Sequence, residues 1–203
     1  LGRIGLIHAA RFTRESCQLV AGCDREPQRA EAFGARFGCA AYTDFAAFLQ
    51  NPALEVAIIA TRSLDHVNHA EQALAAGRTV LLEKPIVVTR DDFRRLQKLE
   101  RTYRGRLFFL HNHRFEPSFE TVQRILASGI LGAVQEVKIR RHHPFRRRGD
   151  WQTMLSCGGG QLSCWGPHII DQALRLIDAP IRKVWSDLRR INALGDADDN
   201  VKI

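Results

Sequence analysis

Two short segments, 56–60 and 79–82, are apolar throughout and are separated by a helix-length stretch. A strand with no polar face must be covered on both sides, as a parallel strand between two layers of helices is. This constrains the first half of the chain more than any other feature, and the pattern recurs around it. An apolar run, 19–23, ends at Asp24, and Pro27 then opens a helical stretch to Phe37, a favoured place for proline. A short helix is predicted over 44–49. The Ala-rich segment 65–76 is helical and is stopped by Gly77. Thr89 is placed to cap a helix over 89–103, and 107–110 is a further strand. The alternation predicts a doubly wound α/β domain of Rossmann type, in which ligands sit beyond the carboxyl ends of the strands. Asp24, Thr61 and Glu83-Lys84-Pro85 all fall at such ends.

The pattern changes near residue 113. A helix is predicted over 119–127, and 134–140 alternates as a strand with one buried face would. A basic loop, a run of three glycines at 158–160 and a helix over 168–177 follow. Further strands are expected within 181–191 and 201–203. The expected organisation is a dinucleotide-binding domain over 1–112, then an α+β domain with a mostly antiparallel sheet over 113–203.

Composition narrows the partners. With 45% hydrophobic and 26% charged residues among 203, the chain is too apolar to be disordered. No segment approaches the roughly 18 uncharged apolar residues of a membrane span. The net charge of +8 permits nucleic acid or acidic small molecules as partners. Basic residues are interleaved with acids except at 140–148, and no groove-reading or base-stacking motif accompanies them, so no specific nucleic-acid partner and no membrane partner is expected. The five cysteines form no Cys-x-x-Cys pair and are expected to be reduced thiols of a cytoplasmic protein, with no metal site.

Three motifs carry chemistry. Gly2-Arg3-Ile4-Gly5 has the spacing of the last two glycines of a phosphate-binding Gly-x-Gly-x-x-Gly turn. Asp24, at the end of the next strand, suits the two hydroxyls of an adenosine ribose and would repel a phosphate there. The plainer alternative is a glycine at a helix start and an aspartate in a turn. Lys84, in Glu83-Lys84-Pro85, closes a strand at the ligand-binding edge, although most lysines in such places are simply at the surface. His168 and Asp171 are three residues apart and share one helical face; histidine is the usual general acid/base near neutral pH. Their spacing alone equally fits a capping histidine and a surface aspartate.

In this order the motifs resemble the Gfo/Idh/MocA oxidoreductases. The resemblance runs from Gly2-x-x-Gly5-x-x-His8-Ala9 and Asp24, through Ala60-Thr61 with His66 and Ala75-Ala76-Gly77, to Glu83-Lys84-Pro85. It continues with His111-Asn112-His113-Arg114-Phe115, Gly129-x-x-Gly132, Trp151, the three glycines and Gly166-Pro167-His168-Ile169-Ile170-Asp171. It implies a hydride transfer between NAD (favoured over NADP because of Asp24) and a hydroxyl-bearing carbon of a sugar, polyol or inositol-like substrate. Gly2, Arg3, Ile4, Asp24, Arg25, Thr61, His66, Glu83, Lys84 and Pro85 would bind the cofactor. Lys84, Arg114, Trp151, Cys164 and His168 would bind substrate. Lys84, His168 and Asp171 would be catalytic: Lys84 on the substrate hydroxyl, His168 as acid/base, Asp171 orienting His168 or touching substrate. A homo-oligomer, dimer or tetramer, is implied as well. The alternative is a non-catalytic member that binds dinucleotide or a partner protein.

The chain departs from the family's pattern in places. Cys164 stands where members often have an aspartate, four residues before the histidine. Thr61-Arg62-Ser63 replaces a common Thr-Pro-Asn. The family also carries a first strand and first glycine before Leu1 and a longer C-terminal half, so a chain of these 203 residues alone is expected to be poorly stable and to bind dinucleotide weakly. The cluster Arg140, Arg141, His142, His143, Arg146, Arg147 and Arg148 suits an anionic sugar, or more plainly an exposed loop or subunit contact. His111 and His113, two apart on an expected strand, are taken as structural.

Overall fold

The computed structural model describes residues 1–13, 17–142, 150–177 and 179–203. They form two compact units, 1–109 and 110–203.

In the first unit, helix α1 (Arg3–Phe12) starts at Gly2, which has an extended backbone. Strand β1 (Ala21–Cys23) leads to α2 (Pro27–Phe37), which ends on left-handed Gly38. Strand β2 (Ala40–Tyr42) pairs parallel with β1, and Gly22 is required there, because a Cβ would strike the Phe33 ring of α2. After α3 (Phe45–Leu49), capped by the Asp44 carboxylate on the Ala47 N–H, comes β3 (Val56–Ile59). Helix α4 (His66–Ala75), strand β4 (Thr79–Leu82), helix α5 (Arg90–Thr102) and strand β5 (Leu107–Phe109) complete the unit. Strands β3, β4 and β5 form a parallel three-stranded sheet in that order.

The alternation of apolar strand and helix predicts this architecture because each strand's two faces need covering. Ala57, Ile59, Val80 and Leu82 are buried in the sheet, against Val67, Ala70, Ala73 and Leu74 of α4. Thr89 caps α5 as expected, its hydroxyl accepting the Asp92 N–H. Strand β2 was not expected from sequence: its residues, Ala40–Tyr42, are short and mostly exposed and carry no periodic signal.

In the second unit a 3-10 turn (Asn112–Phe115) leads into α6 (Pro117–Ala127). Helices α7 (Gln161–Cys164) and α8 (Gly166–Leu176) follow the glycine run, then β6 (Asp187–Arg189) and β7 (Asn200–Lys202), an antiparallel pair. Gly160 has φ 111°, open to glycine alone, and a Cβ on Gly159 would strike the Gln152 carbonyl. The 190–199 connection is shaped by acids: Asp199 accepts the N–H groups of Ile191, Asn192 and Ala193, each at 2.6 Å. These contacts, a buried desolvation cost notwithstanding, hold its carboxyl below its ordinary pKa.

Three expectations need correction. Residues 134–140 are not a strand: their alternation supplies a face, but no ladder forms with any described residue. Within 181–191 only Asp187–Arg189 is strand. His111 and His113 do not lie on a strand, since β5 ends at Phe109 and the chain tightens into the 3-10 turn. The basic residues His143, Arg146, Arg147 and Arg148 lie outside the described residues. Among the described residues no helix is long and apolar enough to cross a membrane, and no group of three His, Cys, Asp or Glu could hold a metal.

Candidate functional site

On the first unit, parallel pairing brings the carboxyl ends of β3 and β4 to one edge, with Glu83 donating its N–H to the Ile59 carbonyl at 2.9 Å. Thr61 and Lys84 therefore emerge beside each other. Glu83 is buried and its two oxygens have separate tasks. One meets His8 Nε2 of α1 at 2.7 Å, and the other accepts the Lys84 N–H at 2.9 Å. Burial opposes ionisation of Glu83, but His8 and the Lys84 N–H outweigh it and hold its pKa below the ordinary value. The pair thus ties the helix start to the backbone that carries Lys84. Lys84 is half-buried, and the Lys84–Pro85 peptide is cis.

His66, expected among the cofactor contacts, is buried instead as a brace. Its Nδ1 lies 2.8 Å from the Pro85 carbonyl and its Nε2 3.2 Å from the Thr61 carbonyl. Burial lowers its pKa, and a neutral imidazole has one N–H to donate. Thr61 is exposed and its hydroxyl lies 3.2 Å from His69 Nδ1.

Asp24 follows β1. Its Oδ1 accepts the Glu26 N–H at 3.0 Å. Burial pushes the neighbouring Cys23 thiol up to about 11, with Asp24 adding to it, which leaves it protonated and unreactive.

The donor set fits a dinucleotide. The first N–H groups of a helix have no intrahelical acceptor and favour an anion. No side chain caps α1, and a Cβ at Gly2 would meet nothing within 4 Å, so its backbone is open to a diphosphate. Gly2, Arg3, Ile4 and Arg25 are exposed around it. A Cβ at Gly5 would make only ordinary contact, so a tight helix–strand approach is not what that glycine provides here.

On the second unit, Trp165 occupies the N-cap position of α8 without a side-chain cap, and Pro167 lies in the first turn, as does His168. His168 is buried among rings: His113 at 4.0 Å, Trp165 at 5.7 Å and His111 at 6.5 Å between centroids. Gln172 holds the His113 carbonyl at 3.0 Å, and His113 Nδ1 pairs with Glu116 at 2.5 Å. A cavity of about 110 Å³ opens here, lined by His113, Arg140, Arg141, Trp165, His168 and Gln172.

Asp171, three residues after His168 on α8, is engaged by arginines. Arg114 grips it with two hydrogen bonds, Nε to Oδ2 at 2.8 Å and Nη2 to Oδ1 at 2.5 Å, and Arg175 stands 3.4 Å away. Burial opposes ionisation, but Arg114 outweighs it and holds the Asp171 carboxyl below its ordinary pKa. Arg114, expected to bind substrate, spends its fork on this carboxylate. Trp151 and Cys164 are half-buried in the 3-10 turn Trp151–Thr153 and in α7; neither lines the cavity. Sequence reasoning missed Trp165, Gln172 and the roles of His8 and His113. His8 was quoted only as part of the glycine motif, and Trp165 only became visible as a wall once α8 was placed.

Known proteins resemble both parts of the chain. Residues 1–111 match the model of the oxidoreductase family with an NAD-binding Rossmann fold, and residues 119–203 match the GFO/IDH/MocA C-terminal domain. A 1-carboxy-3-chloro-3,4-dihydroxycyclohexa-1,5-diene dehydrogenase of Comamonas testosteroni is 33% identical over 181 residues, 87% of this chain and 45% of that protein. An inositol 2-dehydrogenase of Rhizobium meliloti is 28% identical over 201 residues, 98% of this chain and 60% of that protein. The chain thus spans about half the length of the curated relatives it matches. Among solved structures, GenD2 from gentamicin A biosynthesis, in complex with NAD, superposes with a TM-score of 0.85 at 25% identity, over 98% of this chain and 58% of that one.

Proposed function

Since the chain belongs to the GFO/IDH/MocA family of NAD-binding oxidoreductases, we propose that it oxidises or reduces a hydroxyl-bearing carbon of a sugar or cyclic polyol with NAD as partner. The observation that carries the reading is His168, a buried imidazole on the wall of a polar cavity at the first turn of a helix. The inositol 2-dehydrogenase relative supports the substrate class.

When bound, the nicotinamide supplies or accepts the hydride. The chain's own residues do the rest. Oxidising an alcohol takes a hydride from carbon and a proton from oxygen, leaving a carbonyl. Removing the proton as the hydride departs avoids a protonated carbonyl, so a base is needed at the hydroxyl. His168 takes that proton and returns it in the reverse direction. Lys84 would donate a hydrogen bond to a substrate oxygen and stabilise charge that develops there. Glu83 and His8 position Lys84 through its backbone, and Arg114 with Asp171 stiffens α8 beneath His168. At the cofactor, the N-terminus of α1 would hold the diphosphate and Asp24 would accept ribose hydroxyls, which favours NAD over NADP.

The test follows NADH absorbance with a panel of sugars, sugar acids and cyclic polyols. Turnover by the wild type, reduced about 100- to 10,000-fold in His168→Gln with substrate affinity retained, is expected for loss of a general base. Dinucleotide binding without turnover of any substrate would identify a non-catalytic member of the family.

A further inference from the structure

We propose that Arg141 makes the cavity beside His168 selective for substrates that carry an acidic group, a carboxylate or a phosphate, on a hydroxylated ring; this rests on the functional reading above. The guanidinium carbon of Arg141 lies over the Trp165 ring, 3.8 Å from its centroid. A guanidinium stacked this way is pinned in its plane while its N–H edge stays available for an oxyanion, which it grips with two parallel hydrogen bonds. Pinning reduces the side-chain freedom lost on binding.

Charge balance supports the same conclusion. Arg140 and Arg141 both line the cavity, with Ile139 and Ile169 as its apolar wall. Neither arginine makes a salt bridge with another described residue, whereas the acids nearby are taken: Asp171 by Arg114 and Glu116 by His113. Two arginines therefore line a small cavity with no carboxylate of the described residues paired to them. A neutral polyol would leave that charge unanswered, and an acidic ring would answer it within reach of His168. Arg140 and Arg141 stand out in sequence only as the start of a basic cluster; the structure adds the stack of Arg141 on Trp165.

The experiment measures binding by calorimetry, with NADH present, of glucuronate, glucose phosphate and glucose. Loss of a charged hydrogen-bonded contact is worth about 10- to 100-fold in affinity. The proposal predicts that at least one acidic sugar binds tighter than glucose by that factor, and that Arg141→Gln removes the preference. Arg141→Lys keeps the charge without the stack, and it should keep part of the preference while folding as the wild type by circular dichroism. Comparing glucuronate with glucose phosphate identifies the acidic group. Equal binding of acidic and neutral sugars, no binding of any, or a preference that survives Arg141→Gln would overturn the proposal. An acid preference with no NADH formed from any sugar overturns the functional reading and leaves the acid site standing.

Discussion

Replacing His8 with Leu isolates the contact that anchors the strand-end lysine. In the folded chain the Glu83 carboxylate is buried and receives two hydrogen bonds, from His8 Nε2 at 2.7 Å and from the Lys84 N–H at 2.9 Å. Leu fills most of the space His8 leaves, so the main loss is electrostatic: one oxygen of a buried carboxylate has no donor. That costs about 2–3 kcal/mol at neutral pH. With a urea m-value of about 2 kcal/mol/M, the unfolding midpoint should fall by about 1 M. The pH dependence has a definite sign. Glu83 has a depressed folded pKa, so its contribution is full above the unfolded carboxylate value and is lost as pH falls through the folded one. In His8→Leu only Lys84 still opposes burial at Glu83, its pKa rises and it takes a proton at higher pH than in the wild type, so the gap between variant and wild type narrows on acidification. Adding Glu83→Gln to His8→Leu should restore about 1–2 kcal/mol, because a buried amide needs no counter-charge. Urea titrations of the wild type, His8→Leu, Glu83→Gln and the double variant at neutral and mildly acid pH measure this. A midpoint shift below about a quarter of that expected, or a gap that widens in acid, would refute the reasoning.

The other predictions concern the proposed chemistry and its supports. Lys84→Ala should leave NADH affinity within about threefold yet cut kcat about 100-fold or more, measured by NADH absorbance; unchanged kcat would remove Lys84 from the oxygen. Asp24→Ala should weaken NADH and shrink its advantage over NADPH, by about tenfold for one charged hydrogen-bonded contact, and parallel fluorescence titrations would detect it. Arg114→Leu should destabilise the protein by about 2 kcal/mol at neutral pH in urea titration. Since Asp171 has a depressed folded pKa, this loss should narrow as pH falls through that value.

The residues differ in how far their roles could be read from sequence. The parallel strands were legible because Val56–Ile59 and Thr79–Leu82 are apolar on both faces, and only cover on both sides satisfies that. Helix ends were legible where one residue type decides them, as at Thr89 and Gly38. Strand β2 was not, because Ala40 and Ala41 are exposed and their pairing depends on β1, a non-local partner. The alternation at 134–140 marked a face correctly as a pattern but could not guarantee a neighbouring strand to pair with. The places of Lys84 at a strand end and of His168 in the first turn of a helix were legible from their motifs. The grip of Arg114 on Asp171 was not, because it joins residues 57 apart in the chain. The same holds for Glu83 and His8, 75 apart, and for the stack of Arg141 on Trp165.

The account rests on a dinucleotide held by the N-terminus of α1 and by Asp24, so the most direct test is a fluorescence titration with NADH and, in parallel, NADPH. The account predicts saturable binding of NADH that exceeds NADPH by about tenfold, the worth of a ribose contact that a phosphate would turn into repulsion. Binding of neither nucleotide, or equal binding of both, would contradict it.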